Sequence, residues 1–176
     1  HTARGGIACL SLLVLLASAS AYGDRMNSAR ENMLQAIRDS VAQSADYTGR
    51  SELSDKVMRA MAEVPREEFV PNAYRHLAYR NTPLPIEAGQ TISQPLIVAL
   101  MTDLLEPQPT DVILEVGTGS GYQAAILAPL VERVYTTERI ETLASQARQR
   151  FRRLNYRNIR VRHSDGSWGW PELNHL

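Results

Sequence analysis

Apolar positions recur every four residues at Met33, Ile37 and Val41, one stripe along a helix expected from Ser28 to about Gln43. Asp46-Tyr47-Thr48-Gly49 breaks that pattern. A second stripe, Leu53, Val57 and Met61, predicts another helix, capped by Ser51 and ended by Pro65. The periodicity then disappears. Pro65, Pro71, Pro83, Pro85 and Pro95 punctuate residues 65–95 together with Gly89. Phe69, Tyr74, Leu77, Tyr79, Leu84 and Ile86 are available to anchor this extended, loop-rich segment. Pro95 is placed to open a helix, where its missing donor is harmless. That helix is expected from about Leu96 to Leu105, with Ile97, Leu100, Met101 and Leu104 inward, and Glu106-Pro107-Gln108-Pro109 stops it.

From Asp111 the pattern alternates strand, helix, strand, helix, strand. Val112-Ile113-Leu114 predicts a buried parallel strand, Val134–Thr137 a second and Ile159–His163 a third. Helices are expected from about Tyr122 to Leu130 and from Glu141 to Leu154. Such alternation builds a parallel sheet with right-handed crossovers. The fold class is therefore α/β: an incomplete parallel sheet with an N-terminal helical extension. Three strands leave an open edge where a further strand would lie.

The 176 residues suit about one domain. They divide into a signal-like segment (1–21), a helical region (22–64) and a region carrying the sheet (65–176). Arg4 precedes an apolar stretch from Ile7 to Ala17, and Ala17-Ser18-Ala19 and Ala19-Ser20-Ala21 follow with small residues. That order is the pattern of a secretory signal, and it predicts export to the periplasm. An uncleaved anchor is the alternative, and no stable membrane association is expected once the signal is removed. Cys9, the single cysteine, lies inside the apolar stretch, so disulfides and thiol catalysis are not expected. His1, His76, His163 and His175 have no metal-ligand spacing, and no metal site is expected.

The 19 basic and 19 acidic side chains cancel, which argues against a broad phosphate-neutralising surface and hence against nucleic acid as a partner. Eighteen of the basic residues are Arg, and only Lys56 is Lys. Arg139, Arg148, Arg150, Arg152, Arg153, Arg157, Arg160 and Arg162 crowd one region, and are expected to coat the solvent face of a helix and its exit loop.

Candidate chemistry sits after the first strand, at Glu115-Val116-Gly117-Thr118-Gly119-Ser120-Gly121. Glycines let the backbone turn tightly and leave room for a small molecule against the main chain. Glu138 stands at the tip of the second strand, where an acid can accept hydrogen bonds from both hydroxyls of a ribose. The spacing is G-x-G-x-G, without the third glycine placement of a dinucleotide site or the Lys-Ser/Thr of a P-loop. An acid at Glu115 suits a ligand with an ammonium group and no phosphate. The E-x-G-x-G-x-G form resembles the first motif of S-adenosylmethionine-dependent methyltransferases with a Rossmann-like sheet.

A more specific resemblance rests on four stretches. These are Val64-Pro65-Arg66-Glu67-Glu68-Phe69-Val70-Pro71, then Pro83-Leu84-Pro85-Ile86, then Gly89-Gln90-Thr91-Ile92-Ser93-Gln94-Pro95, and Asp165-Gly166-Ser167-Trp168-Gly169-Trp170. With the glycine loop and Glu138-Arg139-Ile140, they resemble the protein-L-isoaspartate (D-aspartate) O-methyltransferase family over about Leu53 to Glu172. The resemblance implies that Gln90, Thr91, Ile92 and Ser93 lie over cofactor and substrate, with Ser93 at the active site. It implies that Glu138 and Arg139 hold the ribose and that Asp165 and Gly166 meet the adenine, while Glu115, Gly117, Gly119 and Gly121 line the cofactor. Three plainer roles stay open: Ser93 as a helix N-cap, Asp165 in an ordinary Asp-Gly turn, and Glu138 as a surface acid.

The implied acceptor is the carboxylate of an isoaspartyl residue in an ageing protein, and the implied donor is S-adenosylmethionine. A carboxylate with a pKa of ~4 is already ionised near neutral pH, so no general base is required. Alignment of acceptor and donor supplies the catalysis, roughly 7–11 kcal/mol in favourable cases. The ester then cyclises to a succinimide that reopens partly to normal aspartate. Leu173-Asn174-His175-Leu176 does not continue the resemblance. The chain is expected to be a fragment or a remnant that binds cofactor weakly. Alternatives are a methyltransferase for RNA or a small molecule, and an inactive cofactor-binding fragment. Family members are largely cytosolic, which makes the cytoplasm the alternative to export.

Overall fold

The computed structural model describes residues 5–171, with side chains described from Ala21 onward. The expected export segment and residues 172–176 therefore lie, in their side chains or wholly, outside the described residues. Helix α1 (Gly5–Gln43) is one continuous element rather than beginning at Ser28, because no proline interrupts that span. Its stripe Met33, Ile37 and Val41 is buried as the spacing requires. Among the described residues no helix is long and apolar enough to cross a membrane.

A single turn, α2 (Ala45–Thr48), closes on Gly49 at φ 69°. Helix α3 (Asp55–Glu63) starts from Ser54 instead of Ser51, and no side-chain hydroxyl caps it. The Ser54 N–H donates instead to the buried Asp103 carboxylate, 2.8 Å away. The cap is a tertiary contact, which explains why local spacing misplaced it.

The proline-rich segment folds into 3-10 turns at Arg66–Phe69, Asn72–Leu77 and Glu87–Gly89, with a short antiparallel pair, β1 (Leu84–Pro85) and β2 (Thr91–Ile92). The first turn is a hub. Glu67 accepts from the Tyr79 hydroxyl, which itself accepts from Arg30 Nε of α1 at 2.9 Å. Glu68 pairs with Arg75 and with Arg153, the latter at 2.5 Å. Phe69 meets Tyr122 edge-on, ring centroids 5.5 Å apart.

Helix α4 (Pro95–Leu104) begins on its proline as expected, but turns a different face inward. Pro95, Val98, Ala99, Thr102 and Asp103 are buried, whereas Ile97, Met101 and Leu104 are 42, 56 and 51% exposed. This helix is apolar nearly all round, so periodicity could not choose its buried side.

Strands β3 (Val112–Val116), β4 (Arg133–Glu138) and β5 (Ile159–His163) form a parallel sheet in that order. Helices α5 (Tyr122–Leu127) and α6 (Glu141–Arg153) connect them. Val57 and Met61 of α3, Ile126 of α5, Val134 of β4 and Leu143 of α6 share one core. Each such buried side chain contributes roughly 1.5–3 kcal/mol. The expectation of a fully buried β3 is corrected. Val112, Leu114 and Val116 alternate along one face of the strand and are 40, 40 and 63% exposed, so that face is left uncovered by the described residues. Arg150 also departs from the expected solvent coat: it is half-buried and donates to the Ser120 carbonyl at 2.8 Å.

Candidate functional site

The C-terminal ends of β3 and β4 lie side by side, Val116 paired with Thr137. There the chain turns through the glycines before entering α5. Gly117 and Thr118 N–H both donate to the Thr137 carbonyl, at 2.8 and 3.0 Å. Gly117 has φ 95° and no atom within 4 Å of where a Cβ would stand, so it leaves an open floor against the main chain. Gly121 (φ 87°) has a different task. A Cβ there would lie 2.6 Å from the Phe151 ring, which makes it the glycine that lets α6 pack on the loop.

Glu138 is buried at the end of β4. One carboxylate oxygen accepts from Gly119 N–H at 2.8 Å and the other from Ile140 N–H at 2.9 Å. Those bonds fix its orientation and leave further lone pairs on both oxygens, since an ionised carboxylate has about four acceptor sites. Glu115, half-buried on β3, accepts from Thr136 Oγ1 at 2.5 Å, and that hydroxyl lies 2.7 Å from Thr118 Oγ1. Loss of water pushes the Glu115 carboxyl from its ordinary 4.5 up to about 8; the Thr136 bond opposes this and the Glu138 charge adds to it.

Two adjoining cavities occupy this corner. The larger, about 250 Å³, is lined by Gln90, Thr91, Gly117, Gly119, Glu138, Arg139 and Asp165, with Val116, Thr137, Ile140 and Ser164. The smaller, about 70 Å³, is lined by Thr91, Ile92, Ser93, Glu115, Gly117 and Gly119, with Val98, Thr118, Ser120, Tyr122 and Gln123. Thr91, Gly117 and Gly119 belong to both and form the shared wall. The fold thus gathers Gln90 to Ser93, Glu115, Gly117, Gly119, Glu138, Arg139 and Asp165 from four separate stretches.

Gly121 and Gly166 line neither cavity. Gly166 (φ 78°) is a packing glycine: a Cβ would come within 2.7 Å of Val116 Cγ1. Ser93 does not cap α4. The N-cap is Gln94, and its side chain makes no capping bond. Asp165 does build a turn, accepting from Ser167 N–H and Oγ at 2.9 and 2.8 Å, and these bonds hold its carboxyl below the usual range. It lines the larger cavity as well. Sequence reasoning missed Thr137 and Ser164, whose buried hydroxyls find no partner among the described residues and stand beside the larger cavity. Thr137 directly precedes Glu138, and Ser164 directly precedes Asp165; adjacency to those acids was the signal available. Among the described residues no three His, Cys, Asp or Glu side chains gather as a metal site needs.

The model of the family described as protein-L-isoaspartate(D-aspartate) O-methyltransferase matches residues 43–174. Protein-L-isoaspartate O-methyltransferase 2 of Nitrosococcus oceani is 56% identical over 147 residues, covering 84% of this chain and 67% of the relative. The protein of the same name from Syntrophobacter fumaroxidans is 51% identical, covering 92% of this chain and 66% of its own length. Protein-L-isoaspartate O-methyltransferase 1 of Cupriavidus necator is 49% identical, covering 91% and 62%. The chain thus spans about two thirds of the length of these curated relatives. Among solved structures, a protein-L-isoaspartate O-methyltransferase aligns at a TM-score of 0.66 and 27% identity, over 82% of this chain and 44% of that one. A second, a putative enzyme of that name from Plasmodium falciparum in complex with S-adenosyl-L-homocysteine, aligns at 0.54 and 25% identity, over 71% of this chain and 62% of that one.

Proposed function

Because the chain belongs to the protein-L-isoaspartate (D-aspartate) O-methyltransferase family, we propose that it transfers a methyl group from S-adenosylmethionine to the carboxylate of isoaspartyl or D-aspartyl residues in damaged proteins. The observation that carries this reading is the shared wall. Thr91, Gly117 and Gly119 separate a cavity floored by Glu138 from one rimmed by Ser93, so a nucleoside end and a reacting end have adjacent places.

The residues present fit the cofactor. Gly117 offers backbone without a Cβ, Glu138 offers free lone pairs to ribose hydroxyls, and the partnerless hydroxyls of Thr137 and Ser164 border the same space. Asp165 and Arg139 lie at its rim, and Glu115 lies in the smaller cavity, where an ammonium would relieve its desolvation. When bound, S-adenosylmethionine supplies a methyl group already activated on a sulfonium.

The chain's own residues do the rest by placement. Among the described residues no His, Cys or Lys lines either cavity, which suits an acceptor that is ionised before it arrives. Ser93 is exposed at the rim of the smaller cavity, placed to donate its hydroxyl hydrogen to an acceptor carboxylate oxygen. Val98, Ile92 and Tyr122 present apolar surface there and exclude water. The test is methyl transfer from labelled S-adenosylmethionine to a matched peptide pair. Base-labile label on the isoaspartyl peptide alone is expected; label on neither peptide, or on both equally, overturns the reading.

The Arg4 to Ala21 pattern supports export as the route of this protein to the periplasm. Expression with its own N-terminus followed by periplasmic release checks this: a protein shortened near Ala21 in the released fraction is expected, and retention at full length in the cytoplasm contradicts it.

A further inference from the structure

We propose that Arg66 is a positioning residue for Ser93, acting through a cation–aromatic stack that ties the Ser93 segment to the glycine loop. The inference rests on the proposed role of Ser93 at the acceptor. Arg66 is fully buried, where a guanidinium is costly, and its Nη1 finds no hydrogen-bond partner among the described residues, so the two bonds it does make carry the compensation. Its Nε donates to the Ala78 carbonyl at 2.8 Å, and its Nη2 donates to the Ser93 carbonyl at 2.7 Å. The second bond joins the hub turn to the rim of the smaller cavity across 27 residues of chain.

The guanidinium also lies over the Tyr122 ring, 4.6 Å from its centroid. Tyr122 is the first residue of α5, immediately after the glycine loop, and lines the same cavity. It meets Phe69 edge-on, and Arg150 lies 5.8 Å from the Phe69 centroid. Arg150 in turn donates to the Ser120 carbonyl. The stack Arg66–Tyr122–Phe69–Arg150 therefore begins on the carbonyl of Ser93 and ends on the carbonyl of Ser120. Both residues line the smaller cavity, and the stack sets the distance between them.

Packing alone does not explain this arrangement. An aliphatic side chain would fill the space under Tyr122 without the cost of a buried charge. What it could not do is reach two carbonyls at once. The planar fork of Arg does so, and a Lys ammonium on a single stem does not reproduce it. Both stack cations share the design: each leaves its aromatic ring to hold a backbone oxygen beside the reacting end of the site.

Arg66→Lys and Arg150→Lys test this in the full chain. Three readouts are compared with the wild type: kcat and KM for the isoaspartyl peptide, S-adenosylhomocysteine affinity, and hydrogen exchange of backbone amides across residues 90–94. The expected result is a kcat lowered at least tenfold and exchange across 90–94 accelerated at least tenfold, with cofactor Kd within threefold. Unchanged kcat and unchanged local exchange overturn the proposal. So does a lowered Tm with exchange accelerated uniformly and kcat unchanged, which marks a merely structural residue. If Arg66→Lys does not fold, Arg150→Lys decides by the same criteria, because it leaves the buried charge in place. If the wild type transfers no methyl, the functional reading fails separately, and local exchange alone decides whether the stack holds Ser93.

Discussion

Gly117 and Gly121 look alike in sequence and do different things. Both have positive φ, so a Cβ at either is strained by about 1–2 kcal/mol. Gly121 alone faces a ring at contact distance, and overpacking adds ~1–3 kcal/mol there. Gly121→Ala is therefore expected to lower Tm clearly more than Gly117→Ala, while Gly117→Ala weakens cofactor binding more. Thermal unfolding with and without S-adenosylhomocysteine measures both. Glu115 carries a second residue-scale prediction. Its folded pKa of about 8 exceeds its ordinary 4.5, so between those values the folded state holds the extra proton. Stability then falls as pH rises from about 4.5 to about 8, and flattens above. Glu115→Gln is expected to remove that slope, and Tm against pH for the two proteins shows it; parallel curves would contradict the assignment.

Elements were legible where local pattern decides and illegible where neighbours decide. The strand–helix alternation after Asp111 and the proline start of α4 followed from periodicity and backbone chemistry. Glu138 could be placed beside the glycines because a parallel register brings the ends of β3 and β4 together. The inward face of α4 could not be read, since Ile97 and Met101 are as apolar as Val98 and only packing against α1 and α3 separates them. The cap of α3 was illegible for the same reason, its acceptor being Asp103 far along the chain. Nor does composition distinguish Arg150, pinned to Ser120, from the exposed Arg152 beside it. The α4 face yields a direct comparison between two methionines. Met61→Ala, fully buried on α3, is expected to cost roughly 2–5 kcal/mol. Met101→Ala, more than half exposed on α4, is expected to cost less than about 0.5 kcal/mol. Denaturant unfolding of both variants checks the assignment, and equal losses would mean that Met101 is covered.

At the scale of the molecule, ten of the twelve residues expected to hold cofactor or substrate converge on the two joined cavities, and the other two glycines pack the elements behind them. The hub turn at Arg66–Phe69 ties α1, the Ser93 segment, α5 and α6 to one another, and so joins the walls of the smaller cavity. The apolar side chains left exposed on α4 and on β3 flank this assembly without entering either cavity, apart from Val116. The proposed cofactor site is centred on Glu138, which lines the larger cavity with both carboxylate oxygens held by backbone N–H groups. Calorimetric titration of S-adenosylhomocysteine into the wild type and into Glu138→Gln tests this site. Saturable one-to-one binding, weakened at least tenfold by the substitution, is expected. No binding by the wild type, or equal binding by both, would contradict it.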